Sequence, residues 1–377
     1  MRRFIVVGTS ERVVTAVLQG IACITDEKSI VVGEEETRNL QWSALCARHI
    51  SLDFDGISDL RAAELINECC APEKDTVIIP ADCRGIRLVS RIHPHLKARV
   101  VPFPDLATLD RMDDKWQFYQ LCQTHGLQVP ETCYIGSKVN LDYDEVVRKL
   151  GLPFVLKPTN ESGSSGVLII RSREHYLQAV KHNEAYRFHS LIAQRYINGE
   201  DIDLSLLAIN GRMTACAIQQ VDGSRIEFVR NDELREQVAR LCRESAFHGV
   251  MHIDARIETR TGRVFMIESN PRFWASLTAA AWCGLNFVEE SAHDRPELRP
   301  ALSLVSGTAY RRHPLLRPSA WPLLFDPGYQ GRLTRASIFD AYTLSQFTLD
   351  LPVLACRYVG KHLAQGMQAV RTAYGLH

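Results

Sequence analysis

The sequence predicts an α/β protein, with a doubly wound parallel sheet at the N-terminus and a more mixed, α+β part after it. Three observations carry that prediction. Over the first hundred residues, short apolar runs alternate with helical stretches, the pattern of a parallel sheet covered on both faces. Further on, hairpin signals such as Asn210-Gly211 replace that alternation. Finally, the apolar run Val264-Phe265-Met266-Ile267 leads straight into Glu268-Ser269-Asn270-Pro271-Arg272, so a buried strand delivers polar groups to one place.

Composition bounds what such a chain does. At 377 residues it exceeds what one core usually holds, so two or three domains are expected. With 46% hydrophobic and 23% charged residues it is an ordinary folded protein. Lys plus Arg and Asp plus Glu are equal at 44 each, which argues against an extended nucleic-acid surface and leaves any phosphate binding local. The eleven cysteines form no Cys-x-x-Cys pair and sit mostly in apolar patterns, consistent with a reducing, cytoplasmic compartment. Four apolar residues before Gly8 are too few for a signal peptide, and no run approaches the length of a membrane span.

Taken in order, Phe4 to Val7 reads as a buried strand, Glu11 to Gly20 as a helix, Ser29 to Gly33 as a strand, Ala62 to Cys70 as a helix and Thr76 to Pro80 as a strand. The Gly8-Thr9-Ser10 turn presents backbone N–H groups but lacks the Gly-x-Gly-x-x-Gly spacing of a dinucleotide site, so none is expected there. Arg84, Arg87 and Arg91 follow the Thr76 to Pro80 strand and read as helix-surface residues rather than a carboxylate site. A boundary is expected at Pro102 and Pro104, then one polar helix from about Asp105 to His125 that carries Lys115. By itself Lys115 reads as a solvated lysine.

Thr132 to Ile135 then reads as a strand, and Tyr143 to Leu150 as a helix stopped by Gly151. Phe154-Val155-Leu156-Lys157-Pro158 and Val167 to Ile170 form a hairpin around a loop of small residues, Ser162-Gly163-Ser164-Ser165-Gly166. A lysine on an apolar strand is costly to bury unpaired, which favours a loop closing over an anion against a floppy hairpin tip. Ser190 to Asp201 passes Gln194 as a strand and turns at Asn198-Gly199. Its backbone could pair with a base and Asp201 with a ribose, although a hinge strand with a surface acid is the simpler reading. Glu268 and Asn270, two apart on a strand, share a face and offer hard oxygen ligands. Asp254 lies fourteen residues before Glu268, and pairing about a turn near Arg260 to Gly262 brings the two acids together, an arrangement that suits a cation between them.

In this order and spacing the pieces resemble the ATP-grasp superfamily over roughly residues 1–288. They comprise an α/β domain, a lysine helix, a Lys-Pro strand with a small-residue loop, a hinge strand, and an acid hairpin ending Glu-x-Asn-Pro-Arg. The ending Asn270-Pro271-Arg272-Phe273-Trp274 looks closest to the carbamoyl-phosphate-synthetase-like branch, which also holds carboxylate–amine ligases. The resemblance implies an ATP-grasp fold with a pre-ATP-grasp domain over residues 1–104 and an ATP-grasp domain over 105–300. Within the latter it implies a lid subdomain near 132–197 and a metal-bearing subdomain near 198–300, and residues 301–377 form a C-terminal extension.

The resemblance also implies ATP and Mg2+ as cofactors, with Mn2+ able to substitute. Lys115 and Lys157 would contact phosphates, and Ser162, Gly163, Ser164, Ser165 and Gly166 would close over them. Gln194, Arg195 and Ile197 would form the adenine hinge, the last two through backbone groups, and Asp201 would take the ribose. Asp254, Glu268 and Asn270 would hold the metal, and Arg272 would steady the transferred phosphoryl group or the substrate. Relatives commonly carry Glu where this chain has Gln194 and Asp201, and both replacements keep acceptor capacity.

The activity implied is ADP-forming ligation of a small carboxylate to an amine through an acyl phosphate, with no nucleic-acid partner and a homodimer left open. A bicarbonate-using carboxylase or synthetase and a non-catalytic ATP-binding module are the alternatives. Beyond about Ala301 the resemblance fades, and a lid, an oligomer surface or a membrane-surface helix at Leu351 to Tyr358 are all open. Tyr310, Trp321, Phe325 and Tyr329 favour packing of this tail on the core.

Overall fold

The computed structural model describes residues 2–70, 75–161 and 163–348, and the elements named here belong to those residues. Strands β1 (Arg2–Val7), β2 (Ser29–Gly33), β3 (Cys46–Ser51), β4 (Asp75–Pro80) and β5 (Arg99–Val100) pair in parallel in the order β3-β2-β1-β4-β5. Their β-branched runs bury both faces. Helix α1 (Glu11–Ala22) covers one face, and α2 (Asp59–Glu68) and α3 (Cys83–Ile92) cover the other. The doubly wound prediction therefore holds.

The strand order reverses between β1 and β4, and ligand crevices in such sheets open at the carboxyl ends of the strands there. Asp82 occupies the base of this one. Its Oδ1 accepts from Gly85 N–H at 2.8 Å and caps α3, while its Oδ2 accepts from the Thr9 and Ser10 N–H groups, both at 2.6 Å. The turn's donors are thus spent within the protein, which agrees with the missing dinucleotide spacing. Arg84, Arg87 and Arg91 pair with Glu34 and Asp55, Asp110, and Asp59, as surface arginines of α3.

The single helix expected over Asp105 to His125 is two, α4 (Leu106–Asp113) and α5 (Lys115–Thr124). Asp114 between them is extended, and its carboxylate accepts from Gln117 N–H at 2.8 Å as the cap of α5. Aspartate is a poor interior residue and a good N-cap, so the chain breaks there. The break makes Lys115 the first residue of a helix.

Strands β6 (Thr132–Ser137), β7 (Phe154–Pro158), β8 (Leu168–Ile170) and β9 (His189–Arg195) form an antiparallel sheet in the order β6-β9-β7-β8. Against it pack α6 (Tyr143–Leu150), ended by Gly151 at φ +75°, and the short α7 (Arg173–Tyr176). The last sheet contains β10 (Gly199–Ile209), β11 (Arg212–Asp222), β12 (Arg225–Phe228), β13 (Gly249–Glu258) and β14 (Val264–Asn270). The tail adds β15 (Leu302–Leu304) beside β11 and β16 (Gly307–Tyr310) beside β12.

One face of that sheet buries Leu204, Leu206, Val264 and Met266 against α4, α5 and α8 (Asp232–Glu244). The opposite face meets α1, α9 (Leu277–Trp282) and α10 (Phe287–Ser291). Each fully buried aliphatic side chain contributes roughly 1.5–3 kcal/mol. Helix α11 (Tyr329–Ile338) lies against α1 and α9, so this part of the tail packs on the core, but Tyr310, Trp321 and Phe325, whose burial was expected to drive that packing, are exposed. Leu351 to Tyr358 falls outside the described residues. Among the described residues no helix is long and apolar enough to cross a membrane.

Candidate active site

The β13–β14 hairpin sets the site by its register. Asp254 lies directly opposite Glu268 and His252 opposite Asn270. The Asn270 amide donates to Asp254 Oδ2 at 2.9 Å, and Arg272 donates to Asn270 Oδ1 at 3.1 Å and to the Phe273 carbonyl at 2.9 Å. Asp254, Glu268, Asn270 and Arg272 therefore form one connected edge, as their spacing in sequence suggests.

Two lysines reach that edge from other elements. Lys115, at the start of α5, is only 7% exposed, contrary to its reading as a solvated lysine. Its Nζ donates to Glu161 O at 2.6 Å and lies 3.5 Å from Glu268 Oε2. Lys157, on β7, is 2% exposed, with Nζ 3.9 Å from the same Glu268 oxygen. Burial pushes its pKa down to about 8, the Glu268 carboxylate pulls it back up, and the neighbouring Lys115 lowers it further. Two buried ammonium groups thus share one carboxylate oxygen.

The small-residue loop stands beside them. Gly163, Ser164 and Gly166 adopt φ of +65°, +66° and +69°. A Cβ on Gly166 would come within 2.8 Å of the Phe188 ring and Pro158, so glycine is required there on both counts. Ser165 is exposed in the same turn, and Ser162 lies outside the described residues.

The hinge residues are held by partners of their own. Gln194 is buried and donates to Thr132 Oγ1 at 3.0 Å. The Arg195 N–H goes to Glu131 O at 2.8 Å and is not available to a base, while Ile197 is buried beside it. Asp201 is 71% exposed and pairs with Arg256 at 3.0 Å.

Sequence reasoning missed a second group. Asp203, His252 and Asp254 bring ligand atoms within 4.8 Å of one another. His252 accepts from or donates to Ser205 Oγ at 2.9 Å, lies 3.5 Å from Asp254 and stacks on Trp274. Burial pushes Asp203 up to about 6, opposed by the His252 charge. Burial also acts to raise Asp254, but its bond to His252 holds it below the ordinary carboxylate range. Burial would lower His252, yet its hydrogen bond and charge contact with Asp254 raise it overall. The alternation His252-x-Asp254 was visible in the sequence, whereas the Asp203–Asp254 pairing between β10 and β13 was not.

A cavity of about 790 Å³ opens beside the acid edge and the small-residue loop. Its wall includes Asp254, Glu268, Asn270 and Arg272, the loop residues Gly163 and Ser164, Ser10 and Arg12 from the N-terminal crevice, and Tyr310 to Pro314 from the tail. It can accommodate a phosphorylated ligand with a second molecule beside it. The donor set of two carboxylates and an amide oxygen suits a hard divalent cation.

Comparison with known proteins agrees with this geometry. Residues 112–276 match the ATP-grasp domain family. A D-alanine--D-alanine ligase of Chromohalobacter salexigens is 39% identical over 95 residues, 25% of this chain and 29% of that protein. The arginine-specific carbamoyl phosphate synthase large chain of Bacillus subtilis is 22% identical over 44% of this chain and 17% of its own length. The chain thus spans under a third of the length of either relative. Among solved structures, the N5-carboxyaminoimidazole synthetase of Staphylococcus aureus with ADP superposes at a TM-score of 0.59, with 14% identity over 82% of this chain and 80% of that one. The L-amino acid ligase of Bacillus licheniformis superposes at 0.55, with 15% identity over 77% and 73%. This chain has the ATP-grasp fold, and its residues 112–276 match the ATP-grasp domain family.

Proposed function

We propose that the protein is an ADP-forming ligase that activates a carboxylate as an acyl phosphate and passes it to an amine. The observation that carries this reading is the convergence of buried Lys115 and Lys157 on Glu268, itself in register with Asp254. Two buried cations require a multivalent anion, and two opposed carboxylates require a cation. A magnesium-bound triphosphate supplies both. The domain division at residues 104 and 300 belongs to the same reading.

Asp254, Glu268 and Asn270 would hold Mg2+, or Mn2+ in its place. Bound there, the ion neutralises phosphate charge as the terminal phosphoryl group transfers. The remaining work falls to the chain. Lys115 and Lys157 bind phosphate oxygens, and the loop from Ser162 to Gly166 covers them and keeps water from the acyl phosphate. Gln194, with the Arg195 and Ile197 carbonyls rather than the Arg195 N–H, which bonds Glu131, would border the base, and Asp201 would exchange Arg256 for the ribose. The substrate carboxylate oxygen attacks the γ-phosphorus as the bond to ADP breaks. Arg272 offsets charge on the transferred group, and the amine nitrogen then attacks the acyl carbon, loses a proton and expels phosphate.

The test is ADP release over acids and amines offered in pairs, with and without Mg2+. Release that needs both partners supports the reading. Bicarbonate-dependent release without an amine would favour a carboxylase, and nucleotide binding with no release under any condition would overturn catalysis altogether.

A further inference from the structure

The cavity wall is chemically mixed: it carries the acids Asp254 and Glu268 and five arginines, Arg12, Arg272, Arg311, Arg312 and Arg317. Several arginines elsewhere are held by acids, as Arg84 is by Glu34 and Arg332 by Asp26. Arg12, Arg311, Arg312 and Arg317 share this cavity wall and pair with no acid among the described residues.

Arg317 is the most constrained. Its guanidinium lies 4.9 Å from the Trp282 ring centre and 5.3 Å from that of Tyr310. Its Nε is buried without a hydrogen-bond partner, and burial holds its pKa below the ordinary arginine range. A planar cation held between aromatic faces with a donor unspent is costly until an anion arrives, and the fork geometry suits a carboxylate or phosphate. Three separate segments supply these charges: the start of α1, the residues just after β16, and Arg317 between the 3-10 turns Pro314–Leu316 and Pro318–Phe325. A general solvated surface would have no reason to gather them around one cavity.

Building on the ligase reading, we infer that the acid activated here carries a second anionic group, a carboxylate or a phosphate, which binds Arg317 together with Arg12, Arg311 and Arg312. One carboxylate then faces Arg272 and the phosphoryl donor, and the other anion anchors the molecule at the tail. A simple monocarboxylate leaves the four arginines unpaired.

The experiment is calorimetric titration of the full chain, loaded with Mg2+ and a non-hydrolysable ATP analogue, with butanoate, glutarate and O-phosphoserine. The expected result is that glutarate or phosphoserine binds about tenfold or more tighter than butanoate, the worth of one charge-assisted hydrogen bond. Which of the two binds tighter identifies the second anion as carboxylate or phosphate. Arg317→Ala should abolish the difference and Arg317→Lys should restore part of it, with a thermal melt confirming folding. Arg312→Ala, at an exposed position, serves if Arg317→Ala does not fold. Equal affinity for all three acids, or a preference that survives loss of Arg317 or Arg312, would overturn the inference. Arginine-dependent binding without ADP release for any amine would keep this site and overturn the ligase reading instead.

Discussion

Among the described residues Lys157 ion-pairs with Glu268 alone, and it shares that acid with Lys115. Lys157→Met should therefore weaken binding of an ATP analogue about 10–100-fold, the value of a charge-assisted contact, with an unchanged circular dichroism spectrum. Unchanged affinity by titration would place the phosphates elsewhere. Asp82 offers the contrasting case, a buried acid with a structural task. Asp82→Ala leaves the Thr9, Ser10 and Gly85 N–H groups unmatched and should cost about 2–3 kcal/mol in denaturant melts while nucleotide affinity holds. Legibility at this scale depended on context. Lys157 stood out because an apolar strand surrounds it, whereas Lys115 lies in a polar helix and its burial comes from Glu161 and β14, far away in sequence.

At the level of elements, the acid hairpin was readable because its turn is local. A turn near Arg260 to Gly262 brings Asp254 close to Glu268, and a one-residue bulge after Asp254 sets the two opposite each other. The meeting of Asp203 with Asp254 depends on β10 finding β13, a pairing separated by about fifty residues that no local pattern encodes. The break between α4 and α5 rests on one capping aspartate. Asp114→Ala should lower stability by about 1 kcal/mol and raise the KM for ATP by displacing Lys115, with Asp114→Ser restoring both. The phosphate loop gives a sharper test. Gly166→Ala meets both a left-handed backbone and the Phe188 ring, so steady-state ADP release should fall, the backbone strain alone costing about 1–2 kcal/mol. Wild-type rates in that variant would mean that the loop does not close in this conformation.

For the whole molecule, periodicity and turns were enough to anticipate the parallel N-terminal sheet, and motif order was enough for the ATP-grasp core. The tail was not readable in this way, because its strands add to β11 and β12 and its arginines acquire meaning only from a cavity that distant segments close. A site assembled this way couples nucleotide to global stability. Mg2+ and ATP analogue at a hundred times the dissociation constant should stabilise the fold by about 2.7 kcal/mol, and chelating the metal should remove most of that gain in a thermal melt. The most direct measurement of the central claim is Mg2+-dependent ADP release by Glu268→Gln beside the wild type, in the presence of an acid and an amine that support turnover. The account predicts a loss of about a hundredfold or more, since the variant keeps the size of the side chain and removes the charge that faces both lysines and would hold the proposed metal. Wild-type turnover by Glu268→Gln would contradict it.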